Sequence, residues 1–425
     1  MTTEGSGERV LVIDPGFVRT ARGQDGQYGQ DGHDGQDGAD GETFWNAASG
    51  TYLTLGRAMA RLASRFAVPS TVDAALAPLG AAAAGPAGRR AVEELEARGL
   101  LVAHRPRPDR PPAPATAADG LFGAPVMSLP EATAGDTTDA VVIGMPYDVG
   151  TTYRPGARFA PDYIRRCSTS LFSVGSAEKP AGRYDPVRGR RVLDGVRIAD
   201  LANVSQRVHT RNGESFDHLQ RLTHSVMAAG RFAVVLGGDH SVSLPAIRGA
   251  LDAHGRLGVL HIDAHADFAE PRAGDWAQEC HHGNFMSWIV GDERVVRVGQ
   301  FGIRQLTGHE SGRHPRVTVW PGRSAVGAEA AQLLADLPSD IPYYLTIDVD
   351  GLDPTALPDT GTPLPGGFTH PELVALLEQL CGARRVVGMD VTELIPGQDD
   401  RSGLVVSDLV LRVLDASVRQ GKETA

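Results

Sequence analysis

Four short segments of the chain concentrate the residue types that hold divalent cations: GGDHS at 237–241, HIDAHAD at 261–267, IDVDGLDP at 347–354 and MDVTE at 389–393. Asp263, His265 and Asp267 alternate, a spacing at which an extended segment directs all three side chains to one side. Asp348 and Asp350 repeat the device, and His240 follows a third apolar run. Together they offer four carboxylates and two imidazoles. Four anionic groups gathered in one place repel one another unless a cation compensates them. Two divalent ions would do so, with at least one carboxylate bridging. An oxygen-rich set with two nitrogens and no thiolate favours Mn²⁺ over a closed structural zinc site. Two such ions ~3.5–4 Å apart lower the pKa of a water between them, which is the chemistry of metal-assisted hydrolysis. A single Asp or His in a loop is ordinarily a cap or a turn residue. Four clustered segments, two of them with i, i+2 carboxylates, outweigh that reading.

Each segment follows an apolar run. VVIGMP, FAVVLGGD, LGVLHIDAH, YYLTIDVD and VVGMDV, from about Ala140 onward, end in Gly, Asp or His. Continuous apolar runs of this length suit strands buried on both faces of a parallel sheet. SLPAIRGALDAH and HPELVALLEQL supply helical crossovers between them. In open α/β sheets ligands bind beyond the carboxyl ends of the strands, which is where the polar residues fall here. His261 sits inside its strand run and is read as structural. Cys280 has no neighbouring thiol and is read as a buried or loop cysteine.

The first hundred residues have a different texture. Arg9 to Ala21 read as a short strand and turn. Glycine then recurs at every third position across 23–41, with Asp25, Asp31, Asp34, Asp37 and Asp40 between, which reads as a solvated, self-repelling loop. FWNAASGTYLTL reads as a strand pair turning near Ser49-Gly50. Leu55, Met59, Leu62 and Phe66 have helical spacing, and Val92, Leu95 and Leu100 suggest a closing helix. Five prolines between Arg105 and Pro114 mark an extended linker. The expected organisation is therefore a small α+β unit over 1–104, a linker over 105–120 and an α/β domain over 121–425.

Composition narrows the partners. The chain has 425 residues, with 41 Lys+Arg against 52 Asp+Glu and a net charge of −11. Broad attraction to nucleic acid or to an anionic membrane is not expected of such a balance. Three dispersed cysteines, Cys167, Cys280 and Cys381, argue against a disulfide framework and for a reducing, cytoplasmic setting. There is no secretory signal pattern, and no apolar stretch reaches the ~20 residues of a membrane helix.

GGDHS, DAHAD, IDVDGLDP, TGTP (360–363) and DVTE resemble the ordered signature blocks of the ureohydrolases, meaning arginase, agmatinase and their relatives. GMPYDVGTTYRPGARFAPDYIR (144–165) is similar to the family's entry block, so the likeness covers about residues 138–420. The resemblance implies a three-layer α/β/α fold with a mainly parallel sheet. It implies one Mn²⁺ on His240, Asp263, Asp267 and Asp348, and a second on Asp263, His265, Asp348 and Asp350. It further implies that His282, from HHGN, shuttles protons, that Glu393 holds the guanidinium, and that Asp267 belongs to the catalytic set. The TGTP turn is expected to shape the pocket. Both roles make physical sense: imidazole titrates near neutrality, and a planar guanidinium matches a carboxylate.

Arginases acting on the free amino acid continue DAHTD into an asparagine that grips the α-carboxylate. Here the run is DAHADFAEP, with Ala266 and Phe268 departing from that pattern, and HIDAHAD is closer to agmatinases. The N-terminal order (VLVIDPGF, a loop, FWNAASGTYLTL, a helix, then EELEARGLLV) resembles the PqqD-like RiPP recognition element. That is a small winged-helix module that captures precursor-peptide leaders by strand addition. Joined, the two resemblances imply a peptide arginase, converting arginine residues of a ribosomally made precursor to ornithine and urea. The implied partners are the precursor's leader and its arginine-containing core, and the implied assembly is a homotrimer or hexamer. The alternatives are an agmatinase or guanidino-acid hydrolase acting on a free small molecule, and a non-catalytic peptide-binding protein.

Overall fold

In a computed structural model the structure describes residues 10–13, 17–20, 42–46, 51–66, 70–103, 120–172, 175–176, 179–180, 182–204, 212–270, 274, 276–307 and 314–424. The glycine-rich run over 23–41 and the proline-rich stretch over 105–114 lie outside these residues. The chain divides into two compact units, Met1–Pro114 and Ala115–Ala425.

The second unit is built on one eight-stranded sheet. Its strands in chain order are β1 (Ala140–Gly144), β2 (Ile198–Asn203), β3 (Phe232–Leu236), β4 (Leu257–Ile262), β5 (Val295–Phe301), β6 (Val317–Trp320), β7 (Tyr343–Asp348) and β8 (Val386–Thr392). In space they lie in the order β2-β1-β3-β8-β7-β4-β5-β6, and every neighbouring pair is parallel. The all-buried runs of β1, β3, β4 and β7 follow from burial on both faces. Successive side chains alternate between two cores. Val142, Val234, Leu260, Leu345 and Met389 face one, with α1 (Ala160–Leu171), α4 (His370–Ala383) and α5 (Arg401–Thr424). Val141, Ile143, Val235, Val259 and Tyr344 face the other, with α2 (Asn212–Ala228) and α3 (Ser243–His254). This is the three-layer α/β/α architecture that the sequence led us to expect.

The helix starts have local causes. Thr369 and Glu372 form a capping box at α4, with Pro371 in its first turn, where the missing N–H costs nothing. Pro161 plays the same part in α1. Among the described residues, no helix is long and apolar enough to cross a membrane.

In the first unit, Phe17–Thr20, Glu42–Asn46 and Thr51–Leu55 form an antiparallel meander, and Phe44 lies opposite Leu53. Val10–Ile13 pairs antiparallel with both Ser70–Thr71 and Leu101–Ala103. Helices Arg57–Ala63, Val72–Leu76 and Pro86–Ala97 complete the unit. Leu11, Phe44, Leu55, Leu62, Phe66, Leu76, Val92 and Leu95 are its buried core. Met59 and Leu53 pack against that core from partly buried positions.

Candidate metal centre

The candidate residues converge beyond the carboxyl ends of β3, β4, β7 and β8. Gly238 lies at the first crossing point: a Cβ there would sit 1.7 Å from the Tyr147 carbonyl oxygen, so only glycine lets the two loops meet. Asp239 N–H donates to that same carbonyl at 2.7 Å. The Asp239 carboxylate accepts from Ser241 N–H at 3.0 Å and from Gly150 N–H at 2.7 Å, closing the loop after β1 over the site. Burial, then the charge of Glu393, pushes Asp239 up to about 7. His240 then opens a short 3₁₀ turn with its ring fully buried.

Asp263, His265 and Asp267 do not converge by strand alternation. The strand ends at Ile262, the chain bends, and Asp267 adopts φ 52° in the left-handed region. The reason is the turn itself: His265 N–H donates to Asp263 Oδ1, and Ala264 N–H donates to Asp350 Oδ1 at 3.0 Å. Likewise Asp348 closes β7, while Asp350 sits in the 3₁₀ turn Val349–Gly351 with its N–H donating to Asp348 Oδ1 at 2.8 Å.

The resulting arrangement is a cage of acceptors. His240 Nδ1 lies 3.0 Å from an Asp263 oxygen, 3.1 Å from one of Asp267 and 3.3 Å from one of Asp348. His265 Nδ1 lies 3.0 Å from Asp350 and 3.5 Å from Asp263. Asp263 thus stands between both imidazoles. Two overlapping groups have ligand atoms close enough to share an ion: His240, His261, Asp263 and Asp267, and Asp263, His265 and Asp350.

The electrostatics ask for positive charge. Burial, with Asp350 and Asp263 next, raises Asp348 well above the usual carboxylate range. Burial and then Asp263 push Asp267 up to about 6, and the same two causes raise Asp350. Burial alone would lower His265, but Asp263 and Asp350 outweigh it and push the imidazole up to about 11. His240 is raised against its burial by Asp263, Asp267 and Asp348. Protons or metal ions must supply this compensation. The orientation of His240 suits either of them at Nδ1. Its Nε2 is 2.8 Å from Thr346 Oγ1, and that hydroxyl donates to Asp390 Oδ1 at 2.6 Å. Thr346 therefore accepts from Nε2–H, which leaves a lone pair on Nδ1 facing three carboxylate oxygens. His240 Nδ1 has no hydrogen-bond partner. With its proton on Nε2, the neutral His240 ring presents Nδ1 as a lone pair among buried carboxylates, a donor set that fits a cation.

Glu393, the residue after β8, is held at φ 65° by its N–H donating to Gly238 O at 2.8 Å. Its Oε1 accepts from His240 N–H at 2.8 Å and lies 3.2 Å from His282 Nδ1, while Oε2 is buried and unpaired. His282 Nε2 meets Thr152 N–H at 3.1 Å and Thr152 Oγ1 at 2.7 Å. Burial lowers the His282 pKa, but Glu393 foremost, then Asp267 and Asp239, push it up to about 9. Thr362 of TGTP donates to Asp350 Oδ2 at 2.9 Å, and Gly361 leaves room at Glu393 Oε2. Cys280 is buried, and burial pushes its thiol up. A cleft of about 360 Å³ opens over the cluster, lined by Thr152, Ala266, Phe268, Gln305, Thr307 and Thr362 beside His265, Asp267, His282 and Asp348.

Sequence reasoning did not single out Thr152, Gln300, Thr346 or Asp390. For Gln300, Thr346 and Asp390 the one visible signal is a polar residue interrupting an apolar strand run, as in VGQF, LTID and GMDV, whereas Thr152 lies in the loop after β1 and carries no such signal.

Fold and cluster together define a three-layer α/β protein with a candidate metal centre at its strand ends. The Arginase family model matches residues 138–415, and the chain belongs to the arginase family. It is 30% identical over 320 residues to the mitochondrial guanidino acid hydrolase of Homo sapiens, covering 72% of this chain and 86% of that one. It is 30% identical over 304 residues to the mitochondrial agmatinase of Gallus gallus, covering 68% and 84%. The solved structure of the proclavaminate amidino hydrolase from Streptomyces clavuligerus superposes with a TM-score of 0.61 at 28% identity, over 71% of this chain and 97% of that one. The protein is an arginase-family hydrolase acting on guanidino groups, and its buried His/Asp clusters could hold the metal pair on which the family depends.

Proposed function

We propose that this protein hydrolyses the guanidinium of arginine residues within a ribosomally made precursor peptide, giving ornithine and urea. One observation carries the choice of substrate. Among the described residues lining the cleft, every titratable group is His282 or belongs to the acidic cluster. The remaining wall (Thr152, Ala266, Phe268, Ala269, Gly283, Gln305, Thr307, Thr362) is neutral. A free α-carboxylate or the ammonium of agmatine finds no fixed countercharge on such a wall. A peptide backbone brings only neutral amides, which hydroxyl and amide side chains can meet.

The N-terminal unit is consistent with this reading. Phe17–Thr20 and Thr51–Leu55 are the outer strands of their meander, each paired on one side only among the described residues. A leader peptide adds a strand to such an edge, and tethering raises the effective concentration of a weakly held core.

In the proposed chemistry, His240, Asp263, Asp267 and Asp348 would hold one Mn²⁺ ion, and Asp263, His265, Asp348 and Asp350 would hold a second. When bound, such a pair supplies a nucleophilic water near neutral pH. Glu393 Oε2, buried and unpaired, accepts N–H groups of the guanidinium. The imidazole of His282 is oriented by Glu393 at Nδ1. Its Nδ1–H faces Glu393 and its Nε2 accepts from Thr152 N–H, 2.7 Å from the Thr152 hydroxyl that lines the cleft; Nε2 exchanges protons with that hydroxyl, which delivers one to the departing amine.

The test is urea release by the full chain loaded with Mn²⁺. The substrates are free arginine, agmatine, 4-guanidinobutyrate, and an arginine-bearing precursor with and without its leader. A kcat/KM highest for the leader-bearing precursor is expected. A higher value for agmatine or the guanidino acid overturns the peptide reading in favour of a small-molecule hydrolase, as the names of the relatives above would suggest. Peptide binding without urea from any substrate would instead mark a binding protein.

A further inference from the structure

A row of polar side chains crosses the apolar sheet directly beneath the metal centre. Gln300 on β5 lies beside His261 on β4, His261 beside Thr346 on β7, and Thr346 beside Asp390 on β8. Each is fully buried. Burying four polar groups in a sheet interior costs free energy unless they serve one another. Their hydrogen bonds run in two directions, and both lead to the cluster.

One arm runs Asp390–Thr346–His240. Thr346 donates to Asp390 Oδ1 at 2.6 Å and so accepts from His240 Nε2 at 2.8 Å, with Ser243 Oγ 3.1 Å away. The other arm runs Gln300–His261–Asp263. The Gln300 amide donates to the Ala266 carbonyl at 3.0 Å and to His261 Nδ1 at 2.8 Å. An Nδ1 that accepts leaves the proton on Nε2, which donates to Asp263 Oδ2 at 2.8 Å. Phe285 packs against both imidazoles, with ring centroids 4.4 Å from His240 and 5.6 Å from His261. His261 is near enough to the first group of ligands to be counted among them by distance alone. Its Nε2 proton rules out that role, because a metal needs the lone pair.

We propose that the row Gln300–His261–Thr346–Asp390 is the positioning layer of the metal centre. Its Thr346 arm aims the His240 Nδ1 lone pair at the cations, and its Gln300 arm orients the bridging Asp263 and ties down the Ala266 loop. His261 is a donor to a ligand and not itself a ligand. This inference is independent of whether the substrate is a peptide. Gln300 acts twice, since one amide group fixes the His261 tautomer and anchors the turn between His265 and Asp267.

The experiment is titration of the chelator-treated full chain with Mn²⁺ by calorimetry, with metal content counted at saturation. The variants are Thr346→Val, Thr346→Ser, Gln300→Met and His261→Gln. Thr346→Val and Gln300→Met are expected to weaken Mn²⁺ binding by about 10–100-fold, the usual effect of losing an outer partner of a ligand, with two ions still bound at saturation. Thr346→Ser restores the hydroxyl and with it the affinity. His261→Gln keeps an N–H for Asp263 and retains two ions. The imidazole ¹⁵N shifts of His261 report an Nε2–H tautomer in the unaltered protein. In Gln300→Glu, where a carboxylate faces Nδ1, the proton moves to Nδ1. That spectroscopic change also tests the arm should Gln300→Met fail to fold. Unaltered Mn²⁺ affinity in both Thr346→Val and Gln300→Met overturns the proposal. So does loss of one ion in His261→Gln, which would make His261 a ligand, or an Nδ1–H tautomer in the unaltered protein.

Discussion

His282, on the cleft wall, is bound to the buried Glu393: His282 Nδ1 lies 3.2 Å from Glu393 Oε1, the same oxygen that takes the backbone N–H of His240. One carboxylate thereby orients the candidate proton donor with one oxygen and leaves the other buried without a partner, the oxygen proposed above to hold the guanidinium. The two roles separate in kinetics. His282→Asn removes proton delivery and is expected to lower kcat by roughly 10²–10⁴-fold with little change in KM. Glu393→Gln keeps the shape but loses a charged acceptor worth roughly 1.5–3 kcal/mol, so kcat/KM falls about 10–100-fold. Steady-state urea release checks both.

Removing metal reverses the pH dependence of stability. In the metal-free protein His265 is raised to about 11 and Asp267 to about 6, so the folded state binds more protons than the unfolded chain. The His265 contribution is fully present below its ordinary pKa near 6.5 and is lost as pH rises toward 11. The Asp267 contribution is lost as pH rises through 6. Chelator-treated protein should therefore melt at progressively lower temperature from pH 5 to 10, whereas Mn²⁺-saturated protein should hold or gain over the same range because metal competes with those protons. Thermal melts across pH, with and without Mn²⁺, read the sign directly.

Gly238→Ala tests the crossing of the two loops. The added Cβ would meet the Tyr147 carbonyl at 1.7 Å, and backbone must shift to relieve it. A destabilisation of roughly 1–3 kcal/mol is expected from the overpacking. Because Glu393 N–H hangs on the Gly238 carbonyl, urea release should fall as well. Denaturant melts and kinetics together would show both effects. A stable variant with full activity would mean that the loops accommodate the methyl group.

Deleting residues 1–114, the first compact unit, separates capture from chemistry. Expected is loss of leader dependence, with KM for the full precursor rising at least tenfold and kcat on a short arginine peptide little changed. An unchanged KM for the precursor would assign the N-terminal unit some other role.

Much of the catalytic unit was legible in the sequence because apolar runs buried on both faces leave a strong mark. β1, β3, β4, β7 and β8 and the crossovers α3 and α4 follow those runs. β2, β5 and β6 did not stand out: IADLAN, VVRVGQF and VTVW mix polar with apolar residues, and β2 and β6 are the outermost strands of the sheet. The alternation expected of Asp263, His265 and Asp267 gave way to a bend, because backbone N–H groups of the turn are satisfied by the carboxylates themselves.

By itself the sequence determined which groups gather: the four carboxylates, two imidazoles and Glu393 sit in segments that apolar strands must carry to one edge of a parallel sheet, and His282 follows in the loop before the helix Phe285–Gly291. Lateral register, which only the tertiary structure decided, selects the nitrogen of His240 that faces the carboxylates, lets one Glu393 oxygen meet His282 while the other stays unpaired, and sets Gln300 beside His261. The physical reason is that neighbours across a parallel sheet are far apart in sequence. Gln300, His261, Thr346 and Asp390 come from four strands, and no local spacing encodes that they form one row.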